Sequence, residues 1–322
     1  MGRECGAVVS TGLIFPGQGS QHVGMGRDIA ERFLLARDTF LEADEALGFP
    51  LSQLCWEGPE AELTRTENAQ PAILVHSVAV WRLLQPLHIP VIAAAGHSLG
   101  EWSAFVAAGT LSFADAVRTV RRRGELMAKA GAERPGTMAA VLGLDDEATH
   151  RVCAEASQAG GIAVAANYNA PGQVVISGDP EAVERAGRLA RQGGAKRVLP
   201  LNVSGAFHSP LIASAEEGLR DWLAQLSLRD PSFPVVANAT ARPVRIAVEA
   251  GRLLIEQLTA PVRWVGCVQA MTELGIDRFL EVGPGNVLCG LVRRIERGAE
   301  TRALGTAEAL EEFSNNFATA WN

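Results

Sequence analysis

One short segment carries the residues most able to do covalent chemistry. Gly96-His97-Ser98-Leu99-Gly100 places a serine between two glycines, after the apolar run of residues 90–95 and before a helix-like stretch that ends near residue 108. A strand that turns sharply into a helix exposes the serine hydroxyl, and the glycines remove side chains that would clash at the turn. We therefore predict that Ser98 is a nucleophile. The alternative, for the pattern alone, is a surface turn of small residues.

A serine hydroxyl is a weak nucleophile, so the prediction requires a base. Among the six histidines, pattern alone puts His208 only modestly ahead, because it lies in the turn-rich segment 204–210. His97 adjoins Ser98, but neighbouring side chains at such a turn point apart, so we expect it to be structural. His76 lies in an apolar helix and is expected in the core. The others are His22, which follows a glycine-rich loop, and His88 and His150, which have no supporting pattern.

Composition and charge narrow the classes of function. The 322 residues are 48% apolar and 20% charged, which is typical of a globular protein with a sizeable core. The net charge of −7 disfavours nucleic acid, and an acidic protein partner would need a local basic patch. No apolar run approaches the ~20 residues of a membrane-spanning helix, and we expect no membrane association.

The five cysteines are too scattered for a disulfide framework or a zinc site, and none forms a C-x-x-C pair. Reduced thiols and the lack of a signal-peptide pattern predict a cytoplasmic protein without a metal. The cysteines are Cys5, Cys55, Cys153, Cys267 and Cys289.

Hydrophobic patterns predict strands alternating with helices, as in an α/β fold. Helices are expected over residues 26–47, over residues 72–84 with Pro71 opening the first turn, and over residues 115–130. Strands are expected over residues 7–15, 234–237 and 278–281.

The middle of the chain predicts a separate unit. Its elements follow the order β-α-β-β-α-β, the split βαβ pattern of a ferredoxin-like domain. We therefore predict a ferredoxin-like small subdomain over residues 134–203, inserted into a large subdomain of residues 1–133 and 204–322. The predicted strands are 137–144, 162–167, 173–178 and 196–201, and the helices are 146–159 and 180–192.

Several segments together resemble malonyl-CoA:acyl-carrier-protein transacylases and the related acyltransferases of polyketide synthases. They occur in the family's order and span nearly the whole chain. The resemblance implies an α/β-hydrolase-like large subdomain with a ferredoxin-like insertion, in agreement with the element order. The matching segments are 15–21, 70–72, 96–101, 123–124, 167–173, 206–209 and 281–285.

The resemblance implies a role for each matching residue. Ser98 would be the acylated nucleophile, and His208 the general base and then the general acid, oriented by backbone carbonyls rather than by a carboxylate. The backbone N–H groups of Leu99 and Gln18 would form the oxyanion hole, where one donor is typically worth ~3–4 kcal/mol.

A further set of residues would recognise the acyl group. Arg123 would hold the free carboxylate of malonate, since a guanidinium pairs with a carboxylate through two parallel hydrogen bonds and stays charged when buried. The alternative is that Arg121, Arg122 and Arg123 form one solvated basic face; the family match selects Arg123 and leaves the other two exposed. Gln257 matches a family glutamine near the active site, and Asn167 is a candidate contact to coenzyme A or the acyl chain.

Two aromatic residues close to the reactive residues have different expected roles. Phe207 precedes His208, as in malonyl-selective polyketide acyltransferases, and its ring would oppose a methyl branch, although one methyl group gives only ~1–3 kcal/mol of discrimination. Trp102 replaces a tyrosine common in relatives, and we expect it to serve packing.

The sequence thus predicts ping-pong transfer of malonyl from coenzyme A to the phosphopantetheine thiol of an acyl carrier protein, by a monomer without a cofactor. The pathway, fatty-acid or polyketide, stays open. The alternatives are a trans-acting acyltransferase for another acyl group, an α/β-hydrolase-type thioesterase, and a non-catalytic carrier-binding module. A hydrolase would need an acid between Ser98 and His208, and we expect Asp145, Asp146 and Asp179 to lie away from the site. Candidate carrier-docking residues are Arg191, Lys196, Arg197, Arg293 and Arg294.

Overall fold

Two β-sheets and the helices packed on them form a mixed α/β fold. The computed structural model describes residues 10–203 and 205–320, so Cys5, Ser204 and residues 7–9 of the predicted first strand lie outside the described residues. In chain order the strands are β1 (Thr11–Phe15), β2 (Val91–Gly96), β3 (Thr137–Leu142), β4 (Ala163–Ala170), β5 (Gln173–Gly178), β6 (Arg197–Pro200), β7 (Val235–Ala237), β8 (Arg242–Val244), β9 (Arg278–Glu281) and β10 (Glu300–Ala303).

Helices connect these strands and cover the sheets. They are α1 (Arg27–Arg32), α2 (Leu34–Leu47), α3 (Leu51–Glu57), α4 (Glu60–Thr64), α5 (Thr66–Leu84), α6 (Leu99–Ala107), α7 (Phe113–Glu133), α8 (Asp146–Gln158), α9 (Pro180–Gln192), α10 (Ser214–Leu223), α11 (Ala247–Glu256), α12 (Trp264–Glu273), α13 (Val287–Ile295) and α14 (Ala307–Ala320).

The large sheet has the order β10-β9-β1-β2-β7-β8. Its strands are parallel except at the edge, where β8 runs antiparallel to β7. Phe15 pairs with Gly96, so β1 and β2 end side by side. The glycine-rich loop after β1 and the serine turn after β2 therefore emerge together at the carboxyl edge, where parallel sheets commonly bind ligands.

The small sheet is antiparallel, with the order β4-β5-β3-β6. Its six elements occur in the predicted β-α-β-β-α-β order, and its apolar residues form a core of their own that includes Val141, Ile176 and Val183. The edge strand β4 contacts the other part of the chain, since Tyr168 N–H donates to Val262 O at 2.9 Å and Val262 N–H to Ala166 O at 2.8 Å.

The predicted helix over residues 26–47 was wrong in its continuity. It divides into α1 and α2 at Phe33, whose backbone is extended with φ −125° and ψ 116°. The Phe33 N–H caps α1 by donating to Ile29 O at 2.9 Å, and its carbonyl accepts from Ala36 at 3.1 Å as α2 begins. Its side chain packs against the main core, which the extended backbone permits.

The start of α5 was also wrong, because the helix begins at Thr66 and contains Pro71 instead of opening with it. A proline inside a helix leaves the carbonyl four residues earlier without its N–H partner. Here that carbonyl belongs to Glu67, and Arg121 Nη1 donates to it at 3.2 Å. A side chain from α7 thus replaces the lost backbone bond. Helix α7 itself is longer than predicted, and Ser112 caps it by accepting from Asp115 N at 3.2 Å.

The close approach of α5 and α7 gives a stability test at Gly124. A Cβ added there would lie 2.6 Å from Glu67 Cα, whereas one added at Gly290 in α13 would have nothing within 4 Å. Replacing a glycine inside a helix by alanine usually raises the free energy of unfolding by about 0.5–1 kcal/mol, so we expect this gain for Gly290→Ala. Gly124→Ala should instead lower the free energy of unfolding by about 1–3 kcal/mol, through overpacking against backbone. Urea denaturation of both variants measures this, and equal gains would contradict the packing described.

Candidate active site

The turn that carries Ser98 is sterically tight. Ser98 has φ 49° and ψ −103°, a backbone conformation that costs a non-glycine residue free energy and persists only where the surroundings impose it. A Cβ at Gly96 would lie 1.9 Å from the carbonyl carbon of Gly100, and one at Gly100 would lie 2.0 Å from Phe15 O. The two glycines are therefore required, because backbone fills the space where side chains would stand.

Asn238 fastens this turn to the neighbouring strand β7. Its Oδ1 accepts from the Ser98 N–H at 2.8 Å, and its Nδ2 donates to Gly96 O at 2.8 Å. Asn238 is fully buried, so both bonds form away from water. Asn238 is not among the residues predicted from the sequence. The available signal was its place directly after a predicted strand, at an edge where parallel strands of the same sheet end together.

The structure brings His208 to Ser98, although the two residues lie far apart in sequence. Ser98 Oγ stands 2.8 Å from His208 Nε2. His208 Nδ1 faces the carbonyls of Gln257 at 2.9 Å and Ala260 at 3.2 Å. Since a carbonyl only accepts, Nδ1 must carry the proton, which leaves Nε2 free to accept from the serine.

Backbone carbonyls orient this histidine where a hydrolase would use a carboxylate. The three candidate acids between Ser98 and His208 have other places: Asp145 caps α8 by accepting from Ala148 N at 2.7 Å, Asp146 lies in the first turn of the same helix, and Asp179 accepts from Ile162 N at 2.7 Å. Burial, and secondarily the nearby Arg123 charge, lower the pKa of His208 to about 3. The imidazole is therefore neutral near pH 7 and able to accept a proton.

Arg123 is only 1% exposed and points into the same cavity. Its Nη1 donates to Gln70 Oε1 at 2.7 Å, while its Nη2 donates to Gln257 Oε1 at 2.9 Å and to Ser98 Oγ at 3.1 Å. Burial lowers the pKa of Arg123 to about 10, so the guanidinium stays charged at neutral pH. Gln70 was not predicted to be a site residue, although residues 70–72 are one of the segments that carried the family resemblance and could have indicated it.

The other two arginines of this run have different environments. Arg122 is exposed and 3.6 Å from Glu125, as predicted for a solvated residue. Arg121 was predicted to be exposed too, which was wrong: it is partly buried and donates to Glu67 O at 3.2 Å and to the Asn68 side chain. Arg121 supplies the hydrogen bond to Glu67 O that Pro71 cannot form, and the helix pattern of α7 alone did not indicate this contact.

Gln257 and Glu101 lie beneath the serine turn. Gln257 Nε2 donates to Glu101 Oε2 at 2.6 Å and to Ser98 O at 3.0 Å. Glu101 is fully buried, and burial raises its pKa to about 7 against the opposing effects of its hydrogen bonds and of Arg123. Glu101 has no role among the sequence predictions, although it stands about one helical turn after Ser98.

The loop after β1 packs against the serine turn. A Cβ at Gly17 would lie 2.3 Å from His97 O, so glycine allows the two backbones to meet. Gln18 and Leu99 both line the cavity. The Leu99 N–H, as the first of α6, has no acceptor within the helix, and the described residues offer none to the Gln18 N–H. Neither donor thus has an acceptor among the residues that the structure describes, and their role as an oxyanion hole stays a prediction.

The cavity above Ser98 has a volume of about 300 Å³. Phe207, which is 5% exposed, lines it, and Asn167 lines it with a buried Oδ1 that has no partner among the described residues. His97 Nε2 contacts Asn169 Oδ1 at 2.8 Å, which agrees with a structural role. The remaining apolar lining comes from Leu99, Met127, Met138, Leu201 and Val203.

The chain is similar to known acyltransferases in both sequence and structure. A family model described as the acyl transferase domain matches residues 13–313. A malonyl CoA-acyl carrier protein transacylase of Bacillus subtilis is 46% identical, covering 93% of this chain and 94% of that protein. A crystal structure of an acyl carrier protein S-malonyltransferase from Vibrio cholerae has a TM-score of 0.91 at 43% identity, covering 94% of this chain and 99% of that one.

The chain belongs to the malonyl CoA-acyl carrier protein transacylase family. Another member, a malonyl-transacylase solved in complex with a type II PKS acyl-carrier protein, has a TM-score of 0.92 at 43% identity, covering 95% of this chain and 99% of that one.

Six of the seven segments that resembled this transacylase family contribute to the cavity or its hydrogen bonds. The seventh, residues 281–285, is structural: Glu281 accepts from Leu288 N at 3.0 Å and Cys289 N at 2.7 Å where α13 begins. Trp102 is fully buried, as expected for packing.

Among the described residues, none of the helices has the length and apolar character that crossing a membrane requires. No group of three or more His, Cys, Asp or Glu residues in the same part of the chain is arranged to hold a metal ion.

The pKa of His208 gives a pH test of the serine–histidine pair. A base works only while unprotonated, so lowering its pKa moves the loss of activity to lower pH. We expect the rate at which a small sulfonyl fluoride modifies Ser98 to stay constant from about pH 8 to about pH 5. If the base were a histidine with its ordinary pKa of about 6.5, most of this rate would be lost over the same range. A stopped-time mass measurement gives the rate, and a midpoint near the ordinary histidine pKa would contradict the assignment. His208→Ala serves as the unreactive control.

Proposed function

We propose that this chain transfers a malonyl group from coenzyme A to the phosphopantetheine thiol of an acyl carrier protein through an ester on Ser98. The observation that carries the proposal is the buried Arg123 guanidinium, whose Nη2 stands 3.1 Å from Ser98 Oγ inside one cavity. A buried cation beside a nucleophile suits an acyl group that carries its own carboxylate. The names and substrates of the family members above support the same conclusion.

In the first half-reaction, Ser98 Oγ attacks the thioester carbonyl while His208 Nε2 takes the hydroxyl proton. The oxyanion forms where the N–H groups of Leu99 and Gln18 are free to donate. The carbon–sulfur bond then breaks, and His208 returns its proton to the coenzyme A thiolate. A malonyl ester of Ser98 remains, and no step requires a cofactor.

In the second half-reaction, the carrier thiol gives its proton to His208 and attacks the ester carbonyl. The carbon–oxygen bond breaks, and Ser98 recovers its proton from His208. Arg123 keeps the malonyl carboxylate in place through both steps, with Gln70 and Gln257 fixing the guanidinium from the other side. We assign Asn167 and Phe207 to contacts with the acyl chain or the pantetheine arm.

We further propose that residues 1–133 and 204–322 form an α/β-hydrolase-like subdomain and residues 134–203 a ferredoxin-like one. The parallel large sheet, the antiparallel small sheet and the separate core of the latter support this division. We place the protein in the cytoplasm, where coenzyme A thioesters and reduced thiols occur together, and keep the expectation of a monomer. The exposed Arg191, Lys196, Arg197, Arg293 and Arg294 stay candidates for docking the acidic carrier.

Covalent loading is the direct test of the nucleophile. Incubation with malonyl-CoA should add one malonyl group to the intact protein, and Ser98→Ala should abolish the adduct. Ser103→Ala is the matched control, because Ser103 lies in the same helix α6, fully buried and outside the cavity lining. Loss of the adduct should require acyl carrier protein; rapid loss to water alone would favour the thioesterase alternative. An adduct on Ser98→Ala, or none on the wild type, contradicts the proposal.

Acyl selectivity tests Arg123. A charge-assisted hydrogen bond contributes ~1.5–3 kcal/mol, so Arg123→Ala should lower kcat/KM for malonyl-CoA about 100-fold. Activity on acetyl-CoA, which has no free carboxylate, should rise relative to malonyl-CoA. The control is Arg122→Ala, one residue away and exposed. Unchanged selectivity in Arg123→Ala would remove this residue from the acyl site.

A further inference from the structure

A buried positive charge with no carboxylate against it lies in the cavity. The groups that the Arg123 Nη atoms reach, on Gln70, Gln257 and Ser98, are all neutral. Arg121 and Arg122 on the same helix pair with Glu125, whereas Arg123 forms an ion pair with none of the described carboxylates. A buried charge is costly unless another charge balances it, so the counter-charge of Arg123 must lie further away.

Glu101 is the buried carboxylate closest in the hydrogen-bond network. Its Oε2 accepts from Gln257 Nε2 at 2.6 Å and from Asn238 N at 3.0 Å, while its Oε1 has no partner among the described residues. The same Gln257 amide accepts from Arg123 Nη2 through its Oε1 at 2.9 Å. One amide therefore separates the two charges, and Glu101 is fully buried while Arg123 is 1% exposed where it lines the cavity.

We propose that Glu101 is a specificity-determining residue: its carboxylate is the counter-charge of Arg123 in the empty cavity, and it takes up a proton from solvent when the malonyl carboxylate arrives. This inference rests on the proposed function. Without that proton, the loaded cavity would hold two buried carboxylates and one guanidinium. When malonyl leaves on the carrier thiol, the proton returns to solvent, so the cycle is balanced.

Among the titratable groups in this part of the site, Glu101 is the one that titrates near neutral pH. Burial lowers the pKa values of His97 and His208 and raises the pKa of the Cys267 thiol, which favours the neutral form of each group, while Arg123 stays charged. The raised pKa of Glu101 rises further when a second carboxylate enters. Malonyl loading is therefore favoured while Glu101 is protonated and becomes less favourable as pH rises.

The test is the pH dependence of selectivity. We would measure kcat/KM for loading Ser98 from malonyl-CoA and from acetyl-CoA, and follow the ratio from about pH 6 to about pH 8.5. Both reactions use the same nucleophile, base and leaving group, so those effects cancel in the ratio. The wild-type ratio should fall about tenfold over this range, as for a shift of one pKa unit. Glu101→Gln should show a constant ratio, at least as high as the wild-type value at low pH.

Glu281→Gln is the matched control, because Glu281 is equally buried but caps α13 outside the cavity; it should keep the wild-type dependence. A second measurement needs no variant: with a pH indicator in weak buffer, malonyl loading should take up protons and acetyl loading should not. A constant wild-type ratio, an unchanged pH dependence in Glu101→Gln, or equal proton uptake would overturn the role of Glu101. Failure of malonyl-CoA to load Ser98 at any pH would instead overturn the proposed function.

Discussion

The hydrogen bonds of Gln257 connect the reactive groups of the cavity to one another. Its main-chain carbonyl accepts from His208, its side-chain oxygen accepts from Arg123, and its side-chain nitrogen donates to Ser98 O and to Glu101. Gln257 is 1% exposed, so water competes little for these bonds and each is stronger than it would be at the surface. Gln257 thus contributes to the tautomer of the base, the direction of the guanidinium and the position of the serine turn, which Ala260, Gln70 and Asn238 respectively also support.

The position of Gln257 depends in turn on how the two sheets meet. It follows α11, and the next few residues supply both the Ala260 carbonyl that contacts His208 and the Val262 backbone that pairs with β4. The edge of the small sheet is therefore joined to the segment that orients the base. Asn167 reaches the cavity from the same edge strand, so acyl contacts and base orientation share one support.

The electrostatics of the site follow from burial. A serine–histidine pair without an acid relies on a neutral imidazole, and here burial and the field of Arg123 disfavour its protonation. The same guanidinium that suits a malonyl carboxylate thus helps to keep the base unprotonated. Because charges are few and solvent is excluded, adding or removing one charge at this cavity has a large effect on its neighbours.

Local sequence alone determined much of this protein. The serine turn, the arginine run and the order of elements in residues 134–203 were predictable, because each depends on residues close together along the chain. The family motifs added Gln18, His208 and Gln257. Other features were decided only by the tertiary structure, because they depend on contacts between distant segments. They are the break at Phe33, the helix that continues through Pro71, the hydrogen bonds of Asn238 to the serine turn, and the buried pair of Glu101 and Arg123 joined through one amide. Hydrophobic periodicity records which side of an element is buried but not which polar group it meets there, so these interactions appear only once the strands lie side by side.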